Sequence, residues 1–227
     1  MRSKSPLCAR PDTEKPEDPR LAGVLERYIL VRLDADRAPE EAARWNPISY
    51  PTHVVLQADG TEVARPPGTL TASELAGRLE EILADEQALG EHLARLAREP
   101  LHVGSQIALA RLYLRRGNAA AAQPLVEALA RSTAVEARAA LPALWLNLGM
   151  ALGKGGPSPK GRKCFERVTC DFPDSREATQ AHFLLYMIYL MQGNRDAAAR
   201  SLEKILDGTP DQYLRERAER ALRRLNR

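Results

Sequence analysis

Residues Trp145 to Pro173 read WLNLGMALGKGGPSPKGRKCFERVTCDFP. Apolar residues recur every three or four positions on both sides of residues 155–157, where two glycines and a proline interrupt the helical pattern. The stretch therefore predicts two helices joined by a short turn. A single pair of helices leaves one apolar face uncovered, so the pattern also predicts neighbouring pairs of the same kind.

The same pattern occurs twice more in the second half of the chain. One copy aligns Leu109, Ala110, Tyr113, Gly117, Ala122, Val126 and Leu129, and another aligns Leu185, Tyr186, Tyr189, Gly193, Ala198, Leu202, Ile205 and Pro210. The turn glycines at 117, 156 and 193 are 39 and 37 residues apart. This regular spacing predicts an all-helical repeat array over residues 85–227.

The copy that begins at Trp145 resembles the tetratricopeptide repeat, whose consensus contains Trp, Leu-Gly, Tyr, Ala, Phe and Pro. It keeps the consensus residue at Trp145, Leu148, Gly149, Phe165 and Pro173, whereas Leu152 replaces the Tyr and Gly161 replaces the Ala. A second copy supplies Tyr189, Gly193, Ala198 and Pro210 at equivalent positions. The resemblance implies an array whose groove binds a protein or peptide.

The last segment of the chain has a strongly amphipathic pattern. Its apolar residues Leu214, Ala218, Ala221, Leu222 and Leu225 fall on one helical face, and arginines fall on the other. The pattern predicts a capping helix that closes the array with a solvated outer surface. An alternative is that the arginines dock on an acidic partner or on a membrane surface.

The first half of the chain alternates short apolar runs with turn signals. Asp59-Gly60 between two such runs predicts a β-hairpin. Thr71 precedes Glu74 by three positions at the head of a Leu-rich stretch, which predicts a capping box. The predicted elements are a buried strand over Tyr28–Asp34, a helix over Pro39–Trp45, short strands over Tyr50–Leu56 and Thr61–Ala64, and a helix that ends the first unit near Ala84.

This order is similar to that of the second half of a thioredoxin domain. The tripeptide Tyr50-Pro51-Thr52 stands before an apolar run, a hairpin, Gly68 and a final helix. The resemblance implies that Pro51 is a cis proline and that Tyr50 and Thr52 flank it in a groove. The expected fold class is a partial α/β thioredoxin-like fold over residues 1–84, followed by the all-α array over residues 85–227.

The resemblance extends upstream, because Cys8 is followed ten residues later by Asp18-Pro19, as in bacterial thioredoxin-like proteins with a Cys-x-x-Cys motif. It places that motif on residues 5–8, so Ser5 stands where the attacking cysteine would be. A serine hydroxyl cannot form the thiolate that begins dithiol exchange. Cys8, at the resolving-type position, is then either an inert, half-buried residue or a single functional thiol.

The thioredoxin family also places two strands and a helix before this motif, whereas four residues precede Ser5 in this chain. One of those strands normally lies between the strands predicted at residues 28–34 and 51–56. Unpaired strand edges cost stability unless they are paired again or covered. Two hypotheses follow. Either the true start of the protein lies upstream of Met1, or residues 1–84 are a remnant domain that is stabilised by packing on the helical array.

The composition bears on several classes of function. Apolar residues make up 44% and charged residues 28% of the chain, as in a globular protein. The net charge of +3 arises from residue 211 onward, so no broad basic surface predicts nucleic-acid binding. No apolar run approaches the roughly 18 to 20 residues of a transmembrane helix. Three dispersed cysteines, Cys8, Cys164 and Cys170, and four scattered histidines predict free thiols, no metal site and no cofactor.

Two functional hypotheses remain. The first is a protein-binding or scaffold protein without enzymatic activity, in which the array binds a peptide and the thioredoxin-like unit offers a second docking surface. The second is a thiol-disulfide oxidoreductase in which Cys8 forms mixed disulfides. The first is favoured because Ser5 occupies the nucleophile position. His53, beside the proline, is a weak further signal. The cytoplasm is expected for the chain as written, and the periplasm if the N-terminus is incomplete.

Overall fold

The computed structural model describes residues 18–47, 49–156, 158–208 and 212–225, which are mostly helical. Contacts divide the chain into unit 1, Met1–Ala88, and unit 2, Leu89–Arg227. The elements are α1 (Pro19–Leu25), α2 (Pro39–Arg44), β1 (Val55–Leu56), β2 (Glu62–Ala64), α3 (Ala72–Arg98), α4 (Val103–Arg115), α5 (Ala119–Ala130), α6 (Val135–Leu152), α7 (Pro159–Asp171), α8 (Arg176–Met191), α9 (Arg195–Gly208) and α10 (Gln212–Leu225). The division falls within α3, slightly beyond the position near Ala84 that the sequence suggested.

Unit 1 has a small core to which α1, α3 and the hairpin contribute. The buried residues are Leu21, Val24, Val55, Ala76, Leu79 and Ile82. Asp18 caps α1, because its carboxylate accepts the backbone N–H groups of Arg20 and Leu21 at 2.9 and 3.0 Å. The hydroxyl of Tyr28 donates to the carbonyl of Leu79 at 2.8 Å and ties the end of α1 to α3.

The predicted hairpin is confirmed. Strand β1 pairs with β2 in antiparallel fashion, with Val55 opposite Ala64. The turn between them uses Gly60 at a φ of 86°, and the Asp59 carboxylate accepts the N–H of Thr61 at 2.9 Å. The strand is shorter than the prediction over residues 50–56, because only Val55 and Leu56 find a partner.

The prediction of a buried strand over Tyr28–Asp34 is wrong. Residues 29–34 adopt no strand, and Ile29 and Val31 are 96% and 78% exposed. In the described part of the chain the sheet contains β1 and β2 alone, so no described strand lies beside this run. A β-branched, apolar composition favours a strand, but a strand also needs a neighbour for its backbone hydrogen bonds.

The capping box that begins α3 is confirmed. The backbone N–H of Thr71 donates to the Glu74 carboxylate at 2.8 Å, and the Thr71 hydroxyl accepts the N–H of Glu74 at 3.3 Å. This reciprocal pair satisfies backbone donors that the first turn of a helix leaves without an intrahelical partner.

Unit 2 consists of helical hairpins stacked in chain order. The hairpins are α4–α5, α6–α7 and α8–α9, and α10 packs against α9. The first helix of each hairpin also contacts the first helix of the next, since α6 touches both α4 and α8. One continuous core, which includes Val126, Leu144, Leu148, Val168 and Ala181, runs from α4 to α8.

Two of the hairpin turns have the same geometry. Gly117 and Gly193 have φ values of 72° and 73°, a region that favours glycine. The asparagine that follows each glycine, Asn118 or Asn194, caps the next helix with its side-chain oxygen at 3.0 or 3.1 Å. The α6–α7 turn differs, because Ser158 provides the cap there. The predicted turns are confirmed at both Gly-Asn pairs.

The last helix confirms the amphipathic prediction. Ala218 of α10 is fully buried against Leu202 and Ile205 of α9, and Ala221, Leu222 and Leu225 pack around them. The arginines at positions 215, 220, 223 and 224 are exposed. The helix therefore covers the apolar end of α9 and turns a polar face outward.

Candidate functional site

The consensus residues of the α6–α7 hairpin form its packing interface. Trp145, Leu148 and Phe165 are buried. A Cβ atom at Gly149 would lie 2.5 Å from the Phe165 ring, and one at Gly161 would lie 2.8 Å from the carbonyl oxygen of Gly149. The two glycines therefore allow α6 and α7 to approach more closely than any side chain would permit.

The other consensus residues also serve structural roles. Ala198 is fully buried, and Gly193 forms the α8–α9 turn. The half-buried Tyr189 donates its hydroxyl to the Glu166 carboxylate at 3.1 Å, and burial, with this carboxylate, raises the pKa of the phenol. Pro173 is exposed in the connection from α7 to α8. Pro210 lies outside the described residues.

An apolar groove of about 290 Å³ lies between α6, the start of α7 and α8. Three methionines on its walls are 46%, 45% and 66% exposed, namely Met150, Met187 and Met191. We call this surface the methionine groove. Its described lining is completed by Gly149, Gly153, Gly156, Ser158, Gly161, Phe165, Leu184 and Ile188. Exposed thioethers on helix walls form a surface that can adapt to different apolar ligands.

The sequence pattern did not identify the methionine groove. A repeat consensus selects the residues that pack one helix on another, whereas these methionines are the apolar residues left over after packing. Met187 and Met191 are four residues apart and therefore lie on one face of α8. Helix α8 has more apolar residues than the repeat consensus accounts for. This excess is the sequence signal that could have revealed the groove.

A second groove of about 500 Å³ lies between α5, α6 and α7 and has a mixed character. The guanidinium of Arg167 lies 4.7 Å from the centre of the Trp145 ring, so a cation already covers this aromatic face. The carboxylates of Glu127, Glu166 and Asp171 lie in the same lining as the amines of Lys160 and Lys163. Charges of both signs side by side give this groove no preference for an anionic or a cationic ligand.

The two cysteines of unit 2 are free thiols with different surroundings. Cys164 is buried, and burial raises the pKa of its thiol to about 11. Cys170 is exposed six residues later on α7. The Cys164 thiol is therefore protonated at neutral pH, which makes it a poor nucleophile.

The proposed groove residues of unit 1 lie in one loop before β1. The Tyr50–Pro51 peptide bond is cis. A Cβ atom at Gly68 would lie 1.6 Å from the carbonyl oxygen of Pro51, so the two backbones are in direct contact. The hydroxyl of Thr52 donates to the carbonyl of Ser49. His53 is partly buried, and desolvation lowers the pKa of its imidazole.

The structure places none of the catalytic candidates of unit 1. Ser5 and Cys8 lie outside the described residues. Within residues 18–47, 49–156, 158–208 and 212–225, no group of three His, Cys, Asp or Glu side chains could hold a metal ion. No helix in these ranges is both long enough and apolar enough to cross a membrane.

Comparisons of the chain with models of protein families, with curated proteins and with solved structures find no match. The class of the protein is therefore taken from its structure: the described residues are predominantly helical and include a small two-stranded sheet. Its most distinctive surface is the methionine groove on the stacked hairpins.

Proposed function

We propose that unit 2 is a tetratricopeptide-like array that binds a segment of another protein in the methionine groove. The stacking of α4, α6 and α8 supports this proposal, because consecutive hairpins that contact through their first helices build a continuous surface. The protein acts in this proposal as a binding or scaffold protein rather than as an enzyme.

The observation that carries the proposal is the partial exposure of Met150, Met187 and Met191 around one cavity. Methionine normally fills gaps inside a core, and its exposure around a concave surface is typical of sites that bind apolar side chains. The groove is near the lower end of the range of about 300 to 1,000 Å³ found for ligand pockets. It has room for a few side chains of a partner rather than for a whole domain.

A selection from displayed random peptides tests the proposal. Peptides enriched on the whole protein should bind the wild type in solution, and the double variant Met187→Gln, Met191→Gln should weaken that binding at least tenfold, since each buried thioether contributes about 1.5 kcal/mol or more. Leu190→Gln is the matched control, because Leu190 is 42% exposed on the same helix but does not line the groove.

Two results of this selection would contradict the proposal. One is that no peptide is enriched. The other is that enriched peptides bind the double variant and the control variant equally well. Far-UV circular dichroism of each variant checks that the helices are retained, so that a loss of binding is not a loss of structure.

For unit 1 we propose a thioredoxin-like origin without redox activity. The β1–β2 hairpin, the contact between Gly68 and Pro51 and the helix that follows support this proposal. The alternative, a thiol-disulfide oxidoreductase that uses Cys8, rests on sequence alone. Insulin reduction that depends on Cys8, and disappears in Cys8→Ser, would establish the alternative and remove the proposal of a redox-inactive unit.

A further inference from the structure

Three side chains of unit 2 join the end of α3 to the first turn of α4. The hydroxyl oxygen of Ser105 lies 2.9 Å from Nδ1 of His102 and 3.3 Å from Nδ1 of His92. His92 belongs to α3, whereas His102 and Ser105 lie at the N-terminus of α4. Ser105 is fully buried, and both imidazoles are half-buried. We call this cluster the His-Ser-His link.

His102 also caps α4 through the same nitrogen. Its Nδ1 accepts the backbone N–H of Ser105 at 3.0 Å, and this N–H belongs to the first turn, where a helix provides no acceptor of its own. The usual caps are serine, threonine, asparagine and aspartate, whose side-chain oxygens accept this hydrogen bond. An imidazole nitrogen accepts a hydrogen bond only while it carries no proton. The cap of α4 therefore depends on the protonation state of His102.

The hydrogen bonds of the link determine where its hydrogens lie. Because Nδ1 of His102 accepts the N–H of Ser105, this nitrogen carries no hydrogen. The Ser105 hydroxyl donates its single hydrogen to the same nitrogen and accepts a hydrogen from Nδ1 of His92. His92 is thus a donor in the link, whether its ring is neutral or charged, and His102 is an acceptor. Only His102 has to remain neutral for the link to keep its bonds.

Protonation of His102 breaks the link at two places. Its Nδ1 becomes a donor, so the backbone N–H and the hydroxyl of Ser105 both lose their acceptor. Both groups are buried, and a buried polar group without a partner costs free energy. Acid therefore favours a form in which the first turn of α4, the first helix of the stacked hairpins, opens to water.

The elements that adjoin this turn carry charged groups of both signs. They are Glu91, Arg95 and Glu99 on α3, Arg131 at the end of α5, and Glu136 and Arg138 at the start of α6. Arg95 and Glu99 pair with each other at 3.6 Å, and α4 has no charged side chain before Arg111. Ordinary carboxylates and guanidinium groups keep their charge between about pH 5.5 and 7.5, so the imidazoles are the groups that titrate here.

We infer that the His-Ser-His link is a pH-sensitive device, which holds the first turn of α4 while His102 is neutral and releases it when His102 takes up a proton. The serine has no catalytic role in this device, because a fully buried hydroxyl cannot reach a substrate. Release loosens one end of the hairpin stack in mildly acidic solution, where histidine becomes charged. The device acts within unit 2 whatever segment the array binds.

Nuclear magnetic resonance of the whole protein tests the inference. At pH 7.5, a long-range proton–nitrogen spectrum of the imidazoles should show Nδ1 of His102 without a hydrogen and Nδ1 of His92 with one. The Ser105 amide should be protected from hydrogen exchange at this pH. Its protection factor should fall at least about fivefold at pH 5.5, which is the factor expected from the loss of one N-cap.

Three variants separate the cap from other effects of acid. His102→Asn keeps an acceptor that does not titrate, so the Ser105 amide should be equally protected at both pH values. His102→Ala removes the acceptor and should leave that amide weakly protected at both. His182→Gln is the matched control, because it removes a half-buried histidine of α8 and should keep the fivefold loss.

Three results would overturn the inference. One is a hydrogen on Nδ1 of His102 at pH 7.5, since the cap could then not form. Another is a Ser105 amide whose protection in the wild type is the same at both pH values. The third is an equal loss of protection in the wild type and in His102→Asn, which would place the acid sensitivity elsewhere in the molecule. The peptide selection tests the proposed function separately from these measurements.

Discussion

At the scale of single residues, glycine determines how closely α6 and α7 approach each other. Gly161 on α7 approaches the backbone oxygen of Gly149, so even a methyl group has no space there. Gly90 on α3 is also a helical glycine of unit 2, but a Cβ at that position would have no atom within 4 Å. Substitutions at Gly90 and Gly161 therefore distinguish the low helix propensity of glycine from its role in close packing.

We expect Gly161→Ala to lower the free energy of unfolding of unit 2 by about 1 to 3 kcal/mol, because overpacking against a backbone atom forces the helices apart. Gly90→Ala should instead raise it by about 0.5 to 1 kcal/mol, since alanine favours a helix over glycine. Urea unfolding followed by circular dichroism measures both changes. Equal effects of the two substitutions would show that close packing at Gly161 does not contribute to the stability of unit 2.

The raised pKa of Cys164 predicts a pH dependence of stability. The folded state keeps this thiol protonated up to about pH 11, whereas in the unfolded chain it loses its proton near its ordinary value of about 8.5 to 9. Between these values the folded state binds more protons, so stability should fall as the pH rises. Cys164→Ala should make the loss less steep in unfolding curves recorded from pH 8 to 11. A slope that is identical in both proteins would refute this assignment.

At the scale of elements, the turns at Gly117 and Gly193 each supply the N-terminal cap of the helix that follows. Asn118 and Asn194 make the same cap after glycines of almost identical φ, and in both turns the N–H of the asparagine donates to the carbonyl of a tyrosine, Tyr113 or Tyr189. The turns of the hairpins α4–α5 and α8–α9 therefore share the same backbone and capping hydrogen bonds.

Asn118→Ala and Asn194→Ala should each lower the free energy of unfolding by about 1 kcal/mol, because each removes the side-chain acceptor of one helix N-terminus. Asn118→Asp and Asn194→Asp keep an acceptor at the same position and should cost much less. Chemical unfolding of the four variants provides the comparison. If aspartate were as damaging as alanine, the caps would not be the source of the effect.

Elements with a local signal could be predicted from the sequence, and elements that depend on a distant partner could not. The hairpin at Asp59-Gly60, the capping box at Thr71 and the turns at Gly117 and Gly193 are specified by residues a few positions apart. The run over residues 28–34 has the composition of a strand, but strand formation depends on a neighbour that its own residues do not specify. The methionine groove depends in the same way on which residues packing leaves exposed.

At the scale of the whole molecule, unit 2 is a linear stack, so its stability depends on covered ends. The exposed end of such a stack would present an apolar surface to water, and α10 covers it at α9 through Ala218 and Leu222. The outward face of α10 carries arginines, among them Arg220, whose guanidinium donates to the carbonyl of Glu216. Coverage by one amphipathic helix keeps the apolar end of α9 away from solvent.

Leu222→Ala should lower the free energy of unfolding by about 1 to 2 kcal/mol, a partial cost because the side chain is half-buried, and should increase the fluorescence of a dye that binds apolar surface. Arg220→Ala, on the outward face, should change stability by less than about 0.5 kcal/mol. Thermal unfolding and dye fluorescence measure the two effects. Comparable losses in both variants would mean that α10 does not act as a cap.

The exposed run from Ile29 to Leu33 has a consequence for the solution behaviour of the protein. Short segments that are apolar, rich in β-branched residues and open to solvent are the usual starting points of amyloid-like assembly. In this chain Arg27 stands before the segment, Arg32 interrupts it, and Asp34 closes it. These charges act as gatekeepers against such assembly, so we expect the solubility of the protein at high concentration to depend on them.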